Sequence, residues 1–128
     1  MRSGAWPTPA YAVSGRSNGE VKVRVTRLEG AEGLVRALGA RGIAADVTYL
    51  AAGTQCAPGR YAPVRTPGLM LAVGSDWFEV TIPRNAVGKD DTFVLSASIV
   101  PIPHGFRASV DFDIAEGVVA PCRAVDAP

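Results

Sequence analysis

The chain has one histidine, His104, and two cysteines, Cys56 and Cys122, among 128 residues. Each scarcity excludes a class of chemistry. A zinc site takes about four ligands at short, characteristic spacings. Here the thiols stand 66 positions apart, with no Cys-x-x-Cys and no histidine near either. A Ser-His-Asp or Cys-His device needs histidine set against a nucleophile. His104 lies in Pro103-His104-Gly105, between two strand patterns, with no Ser or Cys motif beside it. No phosphate loop is present: Gly30-Ala31-Glu32-Gly33 precedes a helical pattern, but Gly-x-Gly-x-x-Gly and Gly-x4-Gly-Lys-Ser/Thr are both absent. No run approaches the roughly 20 apolar residues of a membrane span; the longest candidate is Leu69-Met70-Leu71-Ala72-Val73. An excess of one charge is lacking too. Thirteen Lys and Arg face twelve Asp and Glu, for a net charge of +1, and the basic residues do not interleave with aromatics. That composition argues against nucleic acid or a polybasic membrane patch as partner. These absences predict no metal, no cofactor and no catalytic residue.

What is present suits one packed domain. Hydrophobic residues make up 48% and charged residues 20%, a balance that supplies a core and excludes disorder. Fourteen glycines and ten prolines imply many turns and short elements. Cys56 sits in the loop-like Gly53-Thr54-Gln55-Cys56-Ala57-Pro58-Gly59, and Cys122 in Ala120-Pro121-Cys122-Arg123. An even count without a metal pattern predicts a Cys56–Cys122 disulfide that ties the tail to the middle of the domain. Such bonds persist in oxidising compartments, so the expected location is extracytoplasmic, secreted or on the outer face of the cell membrane. Ala10-Tyr11-Ala12 has the small-x-small form of a signal-peptidase site, which fits a trimmed export segment; short matches of this kind also arise by chance.

Residues 1–19 are rich in Pro, Gly and Ser and read as an arm or linker, residues 20–123 as the domain and 124–128 as a tail. From Glu20 the chain alternates, Val21, Val23 and Val25 on one side and Lys22, Arg24 and Thr26 on the other, as in a half-buried strand. Ala31 to Arg41 changes to a helical period, with Leu34, Val35 and Leu38 on one face. Gly42 is placed to end the helix in a left-handed conformation. Ile43 to Leu50 is extended again. Residues 51–76 read as a long loop in which Leu69 to Val73 can form a short element. Trp77 to Ile82, Thr92 to Ile102 and Arg107 to Ala115 read as strands. The expected fold is α+β: a β-α-β start, then a strand meander, with one helix packed on a mostly antiparallel sheet. Val21, Val23, Leu34, Leu38, Val47, Val80, Ile82, Leu95, Val110, Phe112 and Ile114 are the predicted core.

Three polar or aromatic groups stand out as candidates for function. Asp111 and Asp113 share one strand face and Asp90-Asp91 lies in a turn. Paired carboxylates serve acid-base chemistry, but alternate charges more often mark a solvated face. Lys22 and Arg24 would pair with Asp111 and Asp113 if their strands were neighbours. Arg60, Tyr61, Arg65 and Trp77, with Trp6, form a candidate contact patch; the alternative is that Tyr61 and Trp77 cover the long loop.

Two stretches carry a family resemblance. They are Gly19-Glu20-Val21-Lys22-Val23-Arg24-Val25-Thr26-Arg27-Leu28 and Glu32-Gly33-Leu34-x3-Leu38-x3-Gly42-Ile43-Ala44-Ala45-x-Val47. With Phe78-x-Val80-x-Ile82-Pro83, Thr92-Phe93-Val94-Leu95 and Gly117-Val118-Val119-Ala120-Pro121-Cys122, they resemble the extracytoplasmic domain of actinobacterial membrane-anchored proteins of unknown function. In that family the module follows a short cytoplasmic segment and one membrane span. The resemblance spans most of residues 19–123 and contains no catalytic motif. It implies location and fold, and a tether in a longer gene product. Family members often carry Asp-Pro where this chain has Gly30-Ala31, so an Asp helix cap is lost here.

The sequence thus favours an extracytoplasmic interaction, sensory or structural domain whose partner is a protein or a small ligand. A second reading is a small-ligand or peptide-binding module that uses the 51–77 loop as a lid over the sheet. A third is an enzyme without a recognisable motif. A concave pocket lined by the loop would favour the second reading over the first.

Overall fold

The structure, a computed structural model, describes residues 9–128. Ten strands and one helix follow in the order β1 (Tyr11–Gly15), β2 (Val21–Val25), α1 (Ala31–Gly39), β3 (Ala45–Leu50), β4 (Thr54–Cys56), β5 (Ala62–Val64), β6 (Met70–Val73), β7 (Phe78–Ile82), β8 (Asp91–Ile102), β9 (Gly105–Glu116) and β10 (Ala124–Asp126). They build a four-stranded sheet β1-β2-β7-β6, a second four-stranded sheet β3-β8-β9-β5, and a small β10-β4 ladder. Every pairing is antiparallel except β3 with β8. The α+β class and the antiparallel bias therefore hold.

The finer topology differs from the expectation. Strand, helix and strand do follow one another as β2, α1 and β3, but β2 lies in the first sheet and β3 in the second. The β-α-β order is present along the chain, but its two strands do not share a sheet. The helix bridges the two sheets, contacting β3 on one side and β1 on the other, and does not cover a single sheet face. Alternation gives the period of a strand but not the identity of its neighbour.

The apolar faces of both sheets and of the helix meet in one core. Val23, Val25, Phe78, Val80 and Ile82 come from the first sheet, Phe93, Leu95, Ala97 and Ile114 from the second, and Leu34 and Leu38 from α1. All eleven predicted core residues lie in this cluster or pack against it. Of the adjacent pair Trp77 and Phe78, strand geometry admits one to the interior, and it is Phe78.

Local chemistry explains the helix ends. Gly30 occupies the cap position at φ 72°, with no side-chain cap bond, as the missing Asp implied. Gly33 carries no side chain because Tyr11 of β1 rests there; a Cβ would collide with the phenol oxygen. At the other end Gly42 takes φ +78°, and Ile43 N–H donates to the Leu38 carbonyl at 3.0 Å, closing the last turn.

Two boundaries shift from the sequence reading. Residues 11–15, expected in the arm, form β1 and pair with β2 from Tyr11↔Val25 to Gly15↔Val21. Residues 124–126, expected in the tail, form β10 against β4. The 51–76 stretch is likewise not one loop. It contains β4, β5 and β6, the last matching the short element foreseen at 69–73. Pro63 is tolerated because β5 is an edge strand.

Candidate functional site

The outer face of the second sheet is where sequence and structure diverge most. Along β8, Val94, Ser96 and Ser98 point away from the core yet are buried. The cover is the 53–61 segment: β4 packs against β8, and β10 pairs with β4 in the register Ala124↔Cys56, Val125↔Gln55, Asp126↔Thr54. The Cys56–Cys122 disulfide closes this layer, with Cα atoms 5.1 Å apart. Backbone bonds reinforce it. Ala57 N–H donates to the Arg123 carbonyl at 2.7 Å, Ala120 N–H to Arg60 at 2.8 Å and Ala127 N–H to Gly53 at 2.8 Å.

Arg60 anchors the layer from inside. Its residue is only 9% exposed. Nη2 donates to Asp46 Oδ1 of β3 at 3.1 Å, and Nε donates to the Ala120 carbonyl at 3.1 Å. One guanidinium thus joins the loop, the sheet and the tail. A buried cation requires such pairing, because desolvation without a partner costs several kcal/mol. Arg60, expected at the surface as a contact cation, is a structural pillar.

Between this layer and β9 lies an open cleft of ≈ 460 Å³. Its walls include Gln55, Tyr61, Ser96, Asp111 and Asp113. The β8–β9 register sets Ser96 opposite Asp111 and Val94 opposite Asp113, so both carboxylates project from the same outward face. Tyr61 Oη donates to Asp113 Oδ2 at 3.3 Å. Burial pushes the Tyr61 hydroxyl above its usual range. Asp113, through charge and hydrogen bond, and then Asp111 add to that shift, while Arg60 opposes it. Arg60, the one cation in the walls among the described residues, already holds Asp46. The site is therefore a partly apolar, acidic slot with hydrogen-bond acceptors on one wall.

The other candidates lie elsewhere. Lys22 and Arg24 are not beside Asp111 and Asp113, because β2 lies in the first sheet between β1 and β7. Their carboxylate is Glu79: Arg24 Nε is 3.1 Å from Oε2 and Lys22 Nζ is 3.9 Å from Oε1. Trp77 belongs with them, its ring 4.1 Å below the Arg24 guanidinium. Trp77 also lies near the β8–β9 hairpin end, where Phe106 N–H donates to the Ser75 carbonyl at 2.9 Å. Tyr61 holds Asp113, seven residues further along β9 and roughly 23 Å away at strand rise. Arg60, Tyr61, Arg65 and Trp77 therefore do not form one patch. Arg65 is exposed between β5 and β6, and Trp6 lies outside the described residues. His104 is exposed at the hairpin tip with φ 66°, a similar seven residues from Asp111. Asp90-Asp91 stays at the β8 entrance, where Asp91 Oδ2 accepts Gly88 N–H at 2.9 Å.

Sequence reasoning missed Asp46, Gln55 and Ser96. Asp46 carries a faint signal, a charge inside an apolar strand pattern. Ser96 carries none, since its cover is assembled from residues 40 positions before and 26 after it in the chain. Among the described residues no group of three or more His, Cys, Asp and Glu is placed to hold a metal ion, and no helix is long and apolar enough to cross a membrane. Comparison with protein-family models, curated proteins and solved structures gives no match.

Proposed function

We propose that this domain is a binding module whose cleft, between the disulfide-closed 53–61 layer and β9, accepts a ligand carrying an ammonium or guanidinium group. The ligand class is a small amine or a Lys/Arg-bearing peptide. The observation that carries this reading is the cleft itself, a concave slot lined by residues 55–61 on one side and β9 on the other. Its charge selects the ligand. Asp111 and Asp113 face the slot, and among the described residues the only cation in its walls, Arg60, is paired with Asp46. Tyr61 offers a flat apolar surface beside Asp113, suited to the stem of a lysine or arginine.

The setting we propose is extracytoplasmic. The disulfide that closes the cleft layer supports it, because a reducing compartment would open the bond. Tethering through a membrane span in a longer gene product belongs to the same proposal and rests on the family resemblance alone.

The test is calorimetric titration of oxidised protein with acetyl-lysine amide and with tetralysine, using tetraglutamate as the control. Saturable binding of the cationic probes alone is expected. The Asp111→Asn/Asp113→Asn double variant should weaken it by roughly tenfold or more, since two charge-assisted contacts are lost. Equal binding of tetraglutamate, or unchanged affinity in the double variant, overturns the proposal.

A further inference from the structure

The first sheet has an open edge. β6 pairs with β7 on one side and, among the described residues, has no strand on the other. Its sequence, with the residue before it, is Leu69-Met70-Leu71-Ala72-Val73: five apolar residues with no charge and no proline. Met70 is 58% exposed and Val73 55%. Proteins usually guard such an edge with lysine, proline, a bulge or a covering element. The β8–β9 hairpin end adjoins this region through the Phe106 N–H bond to Ser75, and it adds Val100 and Ile102, both 43% exposed. Among the described residues, four of the five large exposed apolar side chains therefore fall on β6 and this neighbouring hairpin.

The hydrogen-bond phase of β6 decides which groups are free. Gly74 N–H donates to the Trp77 carbonyl at 2.8 Å, so that pair is a hydrogen-bonded one. Pairs alternate along an antiparallel ladder. Ala72↔Glu79 and Met70↔Thr81 are then bonded to β7, while Leu71 and Val73 direct their N–H and C=O groups outward. Each of these is a strong donor or acceptor presented along an apolar edge.

We propose that the β6 edge pairs with the same edge of a second copy of this chain. The argument is self-complementarity. A two-fold axis through an antiparallel ladder requires one residue to face its own copy, because neighbouring pairs alternate in type. Leu71 is such a residue, with its polar groups outward. Placing Leu71 of one copy against Leu71 of the other sets Leu69 against Val73 and Met70 against Ala72. Every pair in the ladder is apolar, so none repels. The ladder is short, so the dimer is weak and concentration-dependent.

Sedimentation velocity from about 10 µM to about 1 mM, a range that brackets weak association, tests this together with amide hydrogen exchange. The expected result is a sedimentation coefficient that rises with concentration, and amides of Leu71 and Val73 that exchange more slowly at the high end while the Ala72 amide is unchanged. Val73→Pro removes an outward N–H and leaves the β7 ladder intact, so it should weaken association by roughly tenfold or more while far-ultraviolet circular dichroism is retained. Met70→Lys, at an exposed site, gives the same loss by charge repulsion and serves if the proline variant fails to fold. A monomer across the whole range, or dimerisation unchanged in both variants, overturns the proposal.

Discussion

Opening the Cys56–Cys122 bond is the sharpest perturbation of the layer that forms the cleft. The bond closes a loop of 66 residues. In the chain-entropy model a loop of that length restricts the unfolded chain by about 15 cal/mol/K, or about 4 kcal/mol at 25 °C. Native domains are stable by only about 5–15 kcal/mol, so this is a large share. For a chain of this size the same loss lowers the melting temperature by about 15 °C. The three-residue β10–β4 ladder and the Arg60 bonds remain after reduction but then close the tail alone. Guanidinium unfolding of the Cys56→Ser/Cys122→Ser variant beside the oxidised protein measures the difference. A loss below about 1 kcal/mol would mean instead that the unfolded chain gains little freedom when the bond is absent.

Three further outcomes follow from packing and charge. Leu38→Ala should cost about 2–5 kcal/mol by urea denaturation, because the side chain is fully buried between α1 and the sheets. Arg60→Met should cost about 1–3 kcal/mol, since Asp46 then loses its partner but stays partly hydrated; adding Asp46→Asn should recover part of the loss. The Tyr49 hydroxyl is buried without a hydrogen-bond partner among the described residues, so Tyr49→Phe should leave stability unchanged or raise it in a thermal melt. Burial, and then Tyr11, pushes the Tyr49 pKa up to about 12 from the ordinary 10. The folded state therefore holds a proton that the unfolded state releases. Stability present below pH 10 is lost as pH rises toward 12, and Tyr49→Phe should remove that alkaline component.

Much of the core was legible because it rests on period. Val21, Val23 and Val25 alternate, Leu34 and Leu38 share a helical face, and Ala108 to Ile114 alternates through β9; each reading needs only its own segment. What needed a distant partner was hidden. Thr54–Cys56 and Ala62–Val64 are strands only because β10 and β9 pair with them, and three residues carry no period of their own. Tyr11 and Val13 were obscured by the Pro and Ser around them, and β2 is what makes them a strand. The site was misjudged for the same reason. Arg60 in Gly59-Arg60-Tyr61 has the look of an exposed loop cation until Asp46, fourteen residues earlier, is placed beside it. Asp111 is exposed, as expected for a solvated strand face; what its own segment does not show is that Tyr61 binds Asp113 and that the 53–61 layer covers Ser96. The cysteines were the exception, since an even count without a metal pattern marks the long-range contact directly.

The proposed ligand site lies between the disulfide-closed layer and β9, where a cationic group is expected to bind. Amide chemical-shift mapping of the oxidised protein during titration with acetyl-lysine amide tests it most directly. Saturable shifts are expected at Gln55, Tyr61, Ser96, Asp111 and Asp113, with none at Lys22, Arg24 or Trp77, and loss of those shifts in the Asp111→Asn/Asp113→Asn variant. Shifts centred on the first sheet, or an identical pattern in that variant, would contradict this reading.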